Sequence, residues 1–197
     1  MKRTPFLAIV LLAFAFPAHA QDPMKNDAMK KDAMKKDAAV KPADPELKVV
    51  LDSWNEVGRK LIAMAEDFPE DKYDFKPTPA ERSFAEQLLH AAGSNYFFTN
   101  PVMGREPQAA EDPKRDRYKS KADIVRFVKK SFADGAAAIQ SKGEKGMTTE
   151  VVYLPDQKAR VLDIAYGLIE HSGEHYGQLV VYYRLAGLVP PESRPKK

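Results

Sequence analysis

Cysteine is absent from this chain, and several other functional residue types are scarce. Its 197 residues include one tryptophan and four histidines. Without cysteine the chain can form no disulfide, offer no thiolate to a metal ion and supply no thiol nucleophile. Its fold must therefore depend on the packing of its core.

The chain also lacks a large excess of charge of one sign. Its formal net charge is +3, and two of its basic residues are Lys2 and Arg3 at the N-terminus. The remaining charges are interspersed, with no basic stripe and no interleaved aromatic residues of the kind that nucleic-acid-binding proteins use. The sequence therefore predicts no nucleic-acid partner. A glycine-rich phosphate loop and an H-E-x-x-H zinc motif are missing as well.

The apolar run at residues 6–16 is too short to span a bilayer in the mature protein. Basic residues precede it and Ala-His-Ala follows at 18–20, which is the pattern of a secretory signal peptide. We expect residues 1–20 to be removed by cleavage near Ala20. The protein would then be secreted or periplasmic with no stable membrane anchor, and no cysteine follows that could carry a lipid.

A five-residue repeat occupies residues 24–38, in the form M-K-N-D-A, M-K-K-D-A and M-K-K-D-A. A period of five matches neither a helix face nor a strand face, and one methionine per repeat cannot build a core. We therefore predict a disordered tether at residues 21–43. A methionine-rich copper-binding arm is an alternative, although copper-binding motifs usually place methionines closer together.

Helical periodicity divides the rest of the chain into four segments. Apolar residues recur at helical spacing over 47–68, 84–98, 124–139 and 161–185. Between the second and third segments, residues 101–119 form a long polar crossover. Residues 151–154 could be a short strand or a loop. The pattern predicts an all-α four-helix bundle over residues 44–194, with the long crossover between helices 2 and 3.

Helix ends carry two kinds of signal. N-terminal caps are expected at Asp44 with Pro45 in the first helical position, at Ser83 with Glu86, and at Ser120 with Asp123. C-terminal stops are expected at Pro69, Pro101, Gly143 and Gly187.

Three histidines remain after the predicted cleavage site: His90, His171 and His175. At 100° per residue, His171 and His175 lie about 40° apart on the inward face of the fourth helix. Burying two imidazoles there is costly unless their nitrogens are satisfied. A metal ion satisfies one nitrogen of each ring, and His90 could supply a third ligand. Half-exposed histidines bonded to water are the alternative, and spacing alone leaves both interpretations open.

Several neighbours of the histidines are further candidates. Gln178 and Tyr182 lie within about 30° of the histidine face and could orient a substrate, and Ser94 lies one turn beyond His90. Glu174 is beside the pair, where a solvated charge is favoured over a catalytic base. Two glycines, at 173 and 177, disfavour the helix and predict the close approach of a neighbouring helix.

Two stretches of this chain resemble the DinB-like family. The specific one runs from His171 to Arg194, H-S-G-E-H-Y-G-Q-L-V-V-Y-Y-R-L-A-G-L-V-P-P-E-S-R. In the N-terminal half, Y-D-F-K-P-T-P at 73–79 is followed by R-S-F at 82–84 and L-L-H at 88–90. The resemblance covers about residues 46–194. It implies a four-helix bundle in which His90, His171 and His175 bind a divalent metal ion.

The resemblance favours an enzyme without identifying its reaction. Related proteins include S-transferases that use bacillithiol or mycothiol, and a maleylpyruvate isomerase. Export argues against thiol transfer, because those thiols are mainly cytosolic. We expect an exported metal-dependent hydrolase or a nucleophile or thiol transferase, with zinc as the first choice and nickel or iron as alternatives. A non-catalytic metal- or ligand-binding protein of the cell envelope is the other hypothesis. The small-molecule substrate is not identified by the sequence, and a homodimer is left open.

Overall fold

A computed structural model of the protein describes residues 45–106 and 113–195. In chain order the elements are α1 (Glu46–Asp67), α2 (Phe84–Val102), α3 (Lys121–Gln140), α4 (Gly143–Gly146), β1 (Glu150–Leu154), β2 (Gln157–Arg160) and α5 (Val161–Leu185). Short 3₁₀ turns occur at Glu70–Lys72, Arg115–Arg117 and Pro191–Ser193. The predicted signal peptide, the repeat tether and Asp44 lie outside the described residues.

The four long helices form a bundle, which confirms the predicted all-α fold. The α1 helix packs against α3 and α5, and α2 packs against the same two helices. The segment for which the sequence left strand and loop open is strand β1, which pairs antiparallel with β2. None of the helices in the described ranges is both long and apolar enough to cross a membrane.

Both predicted capping boxes are present. The Ser83 hydroxyl accepts a hydrogen bond from the Glu86 amide at 3.2 Å, and the Glu86 carboxylate accepts one from the Ser83 amide at 2.7 Å. Ser120 and Asp123 form the same reciprocal pair at the start of α3. Side-chain oxygens thus satisfy amides that the first helical turn leaves without partners.

The start of α1 differs from the prediction. Pro45 precedes the helix rather than occupying its first position. The first two amides donate to the carboxylate of Glu144, with distances of 2.9 Å from Glu46 and 3.0 Å from Leu47. A carboxylate at a helix N-terminus also interacts favourably with the helix dipole. Because Glu144 is distant in sequence, local pattern could not reveal this cap.

The helix stops were predicted with mixed success. Pro101 does not close α2 but lies inside its last turn, where proline has no amide to donate to the carbonyl one turn earlier. The α3 helix ends at Gln140, and Gly143 begins the short α4 helix instead. Gly187 ends α5 as expected, with a φ of +75° that a side chain would oppose. The Leu188 amide donates to the Tyr183 carbonyl at 2.9 Å, which completes a Schellman motif.

A fully buried tryptophan joins α1 to α3. The Trp54 indole donates to the Phe132 carbonyl oxygen at 2.9 Å, and the two ring centroids are 4.8 Å apart. Gly135 makes room for this indole, because a Cβ there would lie 2.7 Å from Trp54 Cζ2. At the other end of α1, the Tyr183 hydroxyl donates to the Met64 carbonyl oxygen at 2.9 Å. Together these contacts hold α1 against α3 and α5.

Candidate metal centre

The three histidines of the sequence analysis meet between α2 and α5. His90 lies on α2, whereas His171 and His175 lie one turn apart on α5. One ring nitrogen from each residue lies within 4.8 Å of the other two. The Nε2 atoms of His171 and His175 are 3.1 Å apart. The fold therefore gathers three imidazoles from two helices into one cluster.

The spacing of the two α5 nitrogens fits a shared metal ion. With metal–nitrogen bonds of about 2.0–2.1 Å, two ligands are about 2.9 Å apart at a right angle and about 3.3 Å apart in a tetrahedral site. The observed 3.1 Å between the two Nε2 atoms lies between these values. Three neutral imidazoles suit divalent zinc, nickel and iron and leave coordination positions for other ligands.

His175 is the most enclosed of the three, with 6% of its surface exposed. This burial lowers the pKa of His175 below its ordinary value of 6.5. Nearby His90 and Arg82 lower the pKa further, whereas the hydrogen bond to Gln178 opposes them. The result favours the neutral imidazole, which is the form that a metal ion requires.

Two glutamine side chains contact the other nitrogen of His175. Gln178 Oε1 lies 2.9 Å from His175 Nδ1, and Gln87 Nε2 lies 2.7 Å from the same atom. These contacts belong to different tautomers, because Nδ1 donates to the oxygen but accepts from the amide nitrogen. When Nε2 faces a metal ion, Nδ1 carries the proton and donates to Gln178. Gln87 also donates its amide hydrogen to Gln178 Oε1.

Gln87 was not among the sequence candidates. It lies three residues before His90 on α2 and is only 4% exposed. A signal for it existed, since residues at i and i+3 of a helix share a face. A glutamine one turn before a proposed ligand is therefore placed to enter the same site. Gln178 itself is solvent-exposed along part of its side chain yet keeps its amide oxygen on His175.

The other candidates have polar atoms directed elsewhere. The Ser94 hydroxyl donates to the His90 carbonyl oxygen at 2.9 Å, within its own helix. Tyr182 is buried, and its hydroxyl donates to the Arg82 carbonyl oxygen at 2.7 Å. Tyr182 thus ties α5 to the segment that precedes α2. Glu174 is exposed, as a solvated charge would be.

The glycine prediction is wrong for this chain. A Cβ built at Gly173 or at Gly177 would meet nothing within 4 Å. Both glycines lie on the side of α5 that faces away from the histidines, so no described helix approaches them. The aromatic ring of Phe98 lies instead on the histidine side, with its centroid 5.7 Å from that of His171.

A charged cavity of about 620 Å³ lies beside the start of α2, and none of the three histidines lines it. Glu86, the neighbour of Gln87, lines the cavity together with Arg82, whose charge acts on His175. Its other charged lining residues are Lys76, Glu81, Lys114 and Arg115. A cavity of this size can accommodate a small polar molecule.

Comparison with known proteins finds one matching family and a similar fold. The model of the DinB superfamily matches residues 53–179, a range that contains all three histidines. The fold is similar to the crystal structure of a DinB-like protein from Bacillus cereus ATCC 10987, with a TM-score of 0.62 and 20% sequence identity. That similarity covers 73% of this chain and 95% of the other. No curated protein sequence matches this chain.

Proposed function

We infer that this chain, which belongs to the DinB superfamily, binds one divalent metal ion through His90, His171 and His175 and acts as a metal-dependent enzyme. The observation that carries the proposal is the 3.1 Å separation of two Nε2 atoms on neighbouring turns of α5. Two such atoms repel each other when both present lone pairs, unless a proton or a cation lies between them. The third imidazole makes a metal ion the better explanation.

Each protein group has a definite task in this proposal. A bound divalent ion would supply Lewis-acid chemistry to a substrate at its remaining positions. His171 and His175 present their ring nitrogens from one rigid helix, and His90 does so from another. Gln178 accepts the Nδ1 hydrogen of His175, which fixes the tautomer and the ring orientation. Burial around His175 keeps its imidazole neutral.

The proposed reactions are hydrolysis and the transfer of a nucleophile such as a thiol to a small molecule. The charged cavity offers space for a polar substrate, and Arg82, which lines it, is near enough for its charge to act on His175. We further propose that the protein is exported after cleavage near Ala20. Export favours hydrolysis, since low-molecular-weight thiol cofactors are mainly cytosolic. Zinc is the first choice of metal because three neutral nitrogen ligands suit it.

One observation favours a non-catalytic metal- or ligand-binding protein instead. Among the described residues, no carboxylate joins the three imidazoles as a potential ligand or neighbouring base. Glu170 and Glu174, each adjacent in sequence to one of the α5 histidines, are both exposed. A binding protein needs no general base, whereas most hydrolytic sites use one.

Elemental analysis of the purified protein tests the metal site. We expect about one equivalent of a divalent metal per chain in the wild type and almost none in His171→Ala. Ser94→Ala is the matched control, because Ser94 contacts the His90 backbone but not the imidazole cluster. Full metal occupancy in His171→Ala, with helical circular dichroism unchanged, would contradict the proposed ligands.

A substrate screen then separates the two functions. Ester, amide and thiol-transfer substrates are offered to metal-loaded protein, to chelated protein and to His171→Ala. Turnover that requires both the metal and His171 supports an enzyme. Stoichiometric metal binding without metal-dependent turnover of any substrate class favours the binding protein.

A further inference from the structure

One side of α5 is exposed along the whole helix, opposite the histidines. Its members fall within an arc of about 80° at 100° per residue. They are Tyr166, Glu170, Gly173, Gly177, Val181 and Arg184, all exposed. We call this set the outer face of α5.

The outer face has large apolar groups in water and charges without ion-pair partners. Tyr166 is 69% exposed and Val181 is 50% exposed. Neither Glu170 nor Arg184 forms an ion pair with another residue of the described ranges 45–106 and 113–195. The space above both glycines is open.

The order of residues on the outer face is symmetric about Gly177. Counting four residues in each direction leads to Gly173 and Val181. Counting seven leads to Glu170 and Arg184, which carry opposite charges. The face is therefore complementary to its own reversed copy.

We propose that the outer face of α5 binds the same face of a second copy of this chain, with the two helices antiparallel. A two-fold axis would pass at Gly177, as in the self-complementary interfaces of most homodimers. Glu170 of each chain would then lie opposite Arg184 of the other. Gly173 would receive Val181, and the two Gly177 backbones could approach closely because neither has a side chain.

The area of the face sets the strength of this dimer. From Tyr166 to Arg184 the helix extends about 27 Å, and the face is one helix wide. Such a strip is smaller than the roughly 800 Å² per partner that stable complexes bury. The dimer is therefore expected to dissociate on dilution. Because the face points away from the histidines, dimerisation and metal content are separate properties.

Charge reversal tests the pairing. Sedimentation equilibrium of the wild type should show a concentration-dependent dimer. Glu170→Arg and Arg184→Glu should each weaken association by about tenfold or more, because each creates like-charge pairs across the axis. The double variant restores both pairs and should recover association to within about threefold. Lys158→Glu, an exposed lysine on β2, makes the same charge change away from the face.

Three outcomes would overturn the proposal. A wild type that stays monomeric at every concentration excludes the dimer. A dimer that Arg184→Glu leaves intact lies on another surface. If the single variants dissociate and the double variant does not recover association, the antiparallel register is excluded. Helical circular dichroism of each variant checks that its fold is retained.

Cross-linking tests the axis independently. Since the chain has no cysteine, Gly177→Cys introduces a single thiol at the proposed two-fold. Mild oxidation should convert this variant into a disulfide-linked dimer, whereas Lys158→Cys should stay monomeric under the same conditions. Equal cross-linking of both variants would indicate random collision and would contradict the proposed axis.

Discussion

His175 is buried and hydrogen-bonded, and it is also one of the proposed metal ligands. Its Nδ1 contacts Gln178, and its Nε2 faces His171. Replacing Gln178 with alanine removes the acceptor that fixes the ring and should weaken metal binding by about 10- to 100-fold. Competition with a coloured chelator measures the affinity. Ser94→Ala should leave the affinity unchanged, and an equal loss in both variants would show that Gln178 has no special role.

Acid should remove the metal ion and destabilise the protein together. The pKa of His175 is lowered by burial from its ordinary value of 6.5. The unfolded chain therefore takes up its proton at a higher pH than the folded chain does. The stability that the neutral imidazole contributes is present above about pH 6.5 and is lost as the pH falls through the lower, folded-state value. Metal binding requires the same neutral form.

Dialysis at pH 8, 6 and 5 followed by elemental analysis tests the metal part of this expectation. Urea unfolding of metal-depleted protein at the same pH values tests the stability part. Metal content should decline below about pH 6. Equal affinity at pH 5 and pH 8 would argue against ligation by histidine.

Trp54 should be the most sensitive single residue of the core. It is fully buried between α1 and α3 and donates to the Phe132 carbonyl oxygen. Trp54→Ala should lower the free energy of unfolding by about 3–5 kcal/mol, out of the roughly 5–15 kcal/mol of a typical domain. Tyr166→Ala is the matched control, because Tyr166 is largely exposed. Urea titration followed by circular dichroism measures both, and similar losses would contradict the assignment of the core.

At the scale of helices, the same residue type has opposite roles in α3 and α5. A Cβ at Gly135 would lie 2.7 Å from the Trp54 ring, whereas Gly177 faces open space. Gly135→Ala should therefore destabilise by about 1–3 kcal/mol through overpacking. Gly177→Ala should stabilise the monomer by up to about 1 kcal/mol through helix propensity. Urea unfolding at low protein concentration measures the change in the free energy of unfolding for each variant. Changes of the same sign in both would refute this distinction.

The sequence predicts those helical features that depend on local chemistry. The capping boxes at Ser83 and Ser120 each involve residues three positions apart, so their pattern is visible in the chain. The extent of α5 follows from its apolar periodicity and from Gly187. The pairing of His171 with His175 also depends only on helical spacing.

Features that depend on distant residues were not predictable in this way. The carboxylate of Glu144 caps α1 from a separate helix. The two glycines of α5 could not be assigned to a neighbour, because propensity does not show which residue lies opposite. Helical spacing places Gln87 on the face of His90, but its contact with His175 depends on α2 and α5 lying side by side. Convergence of His90 with the other two histidines was an implication of family resemblance rather than of spacing.

At the scale of the whole chain, the repeat-containing segment should be dispensable. Residues 21–43 lack a periodic apolar face, and the described core is built from residues after them. Deleting 21–43 should leave the melting temperature within a few degrees and the metal stoichiometry unchanged. Differential scanning calorimetry and elemental analysis measure these properties. A fall in melting temperature of more than about 10 °C would mean that the segment contributes to the core.

The placement of the imidazoles on two helices also constrains the topology of the chain. A metal ion held by His90 and by the α5 histidines would close a loop that contains α3, α4 and both strands. A cross-link that persisted in the unfolded chain across a loop of this length would raise the free energy of that chain by about 4.5 kcal/mol in the chain-entropy treatment used for disulfides. A protein without cysteine would thereby gain a cross-link between two helices that is lost on acidification rather than on reduction.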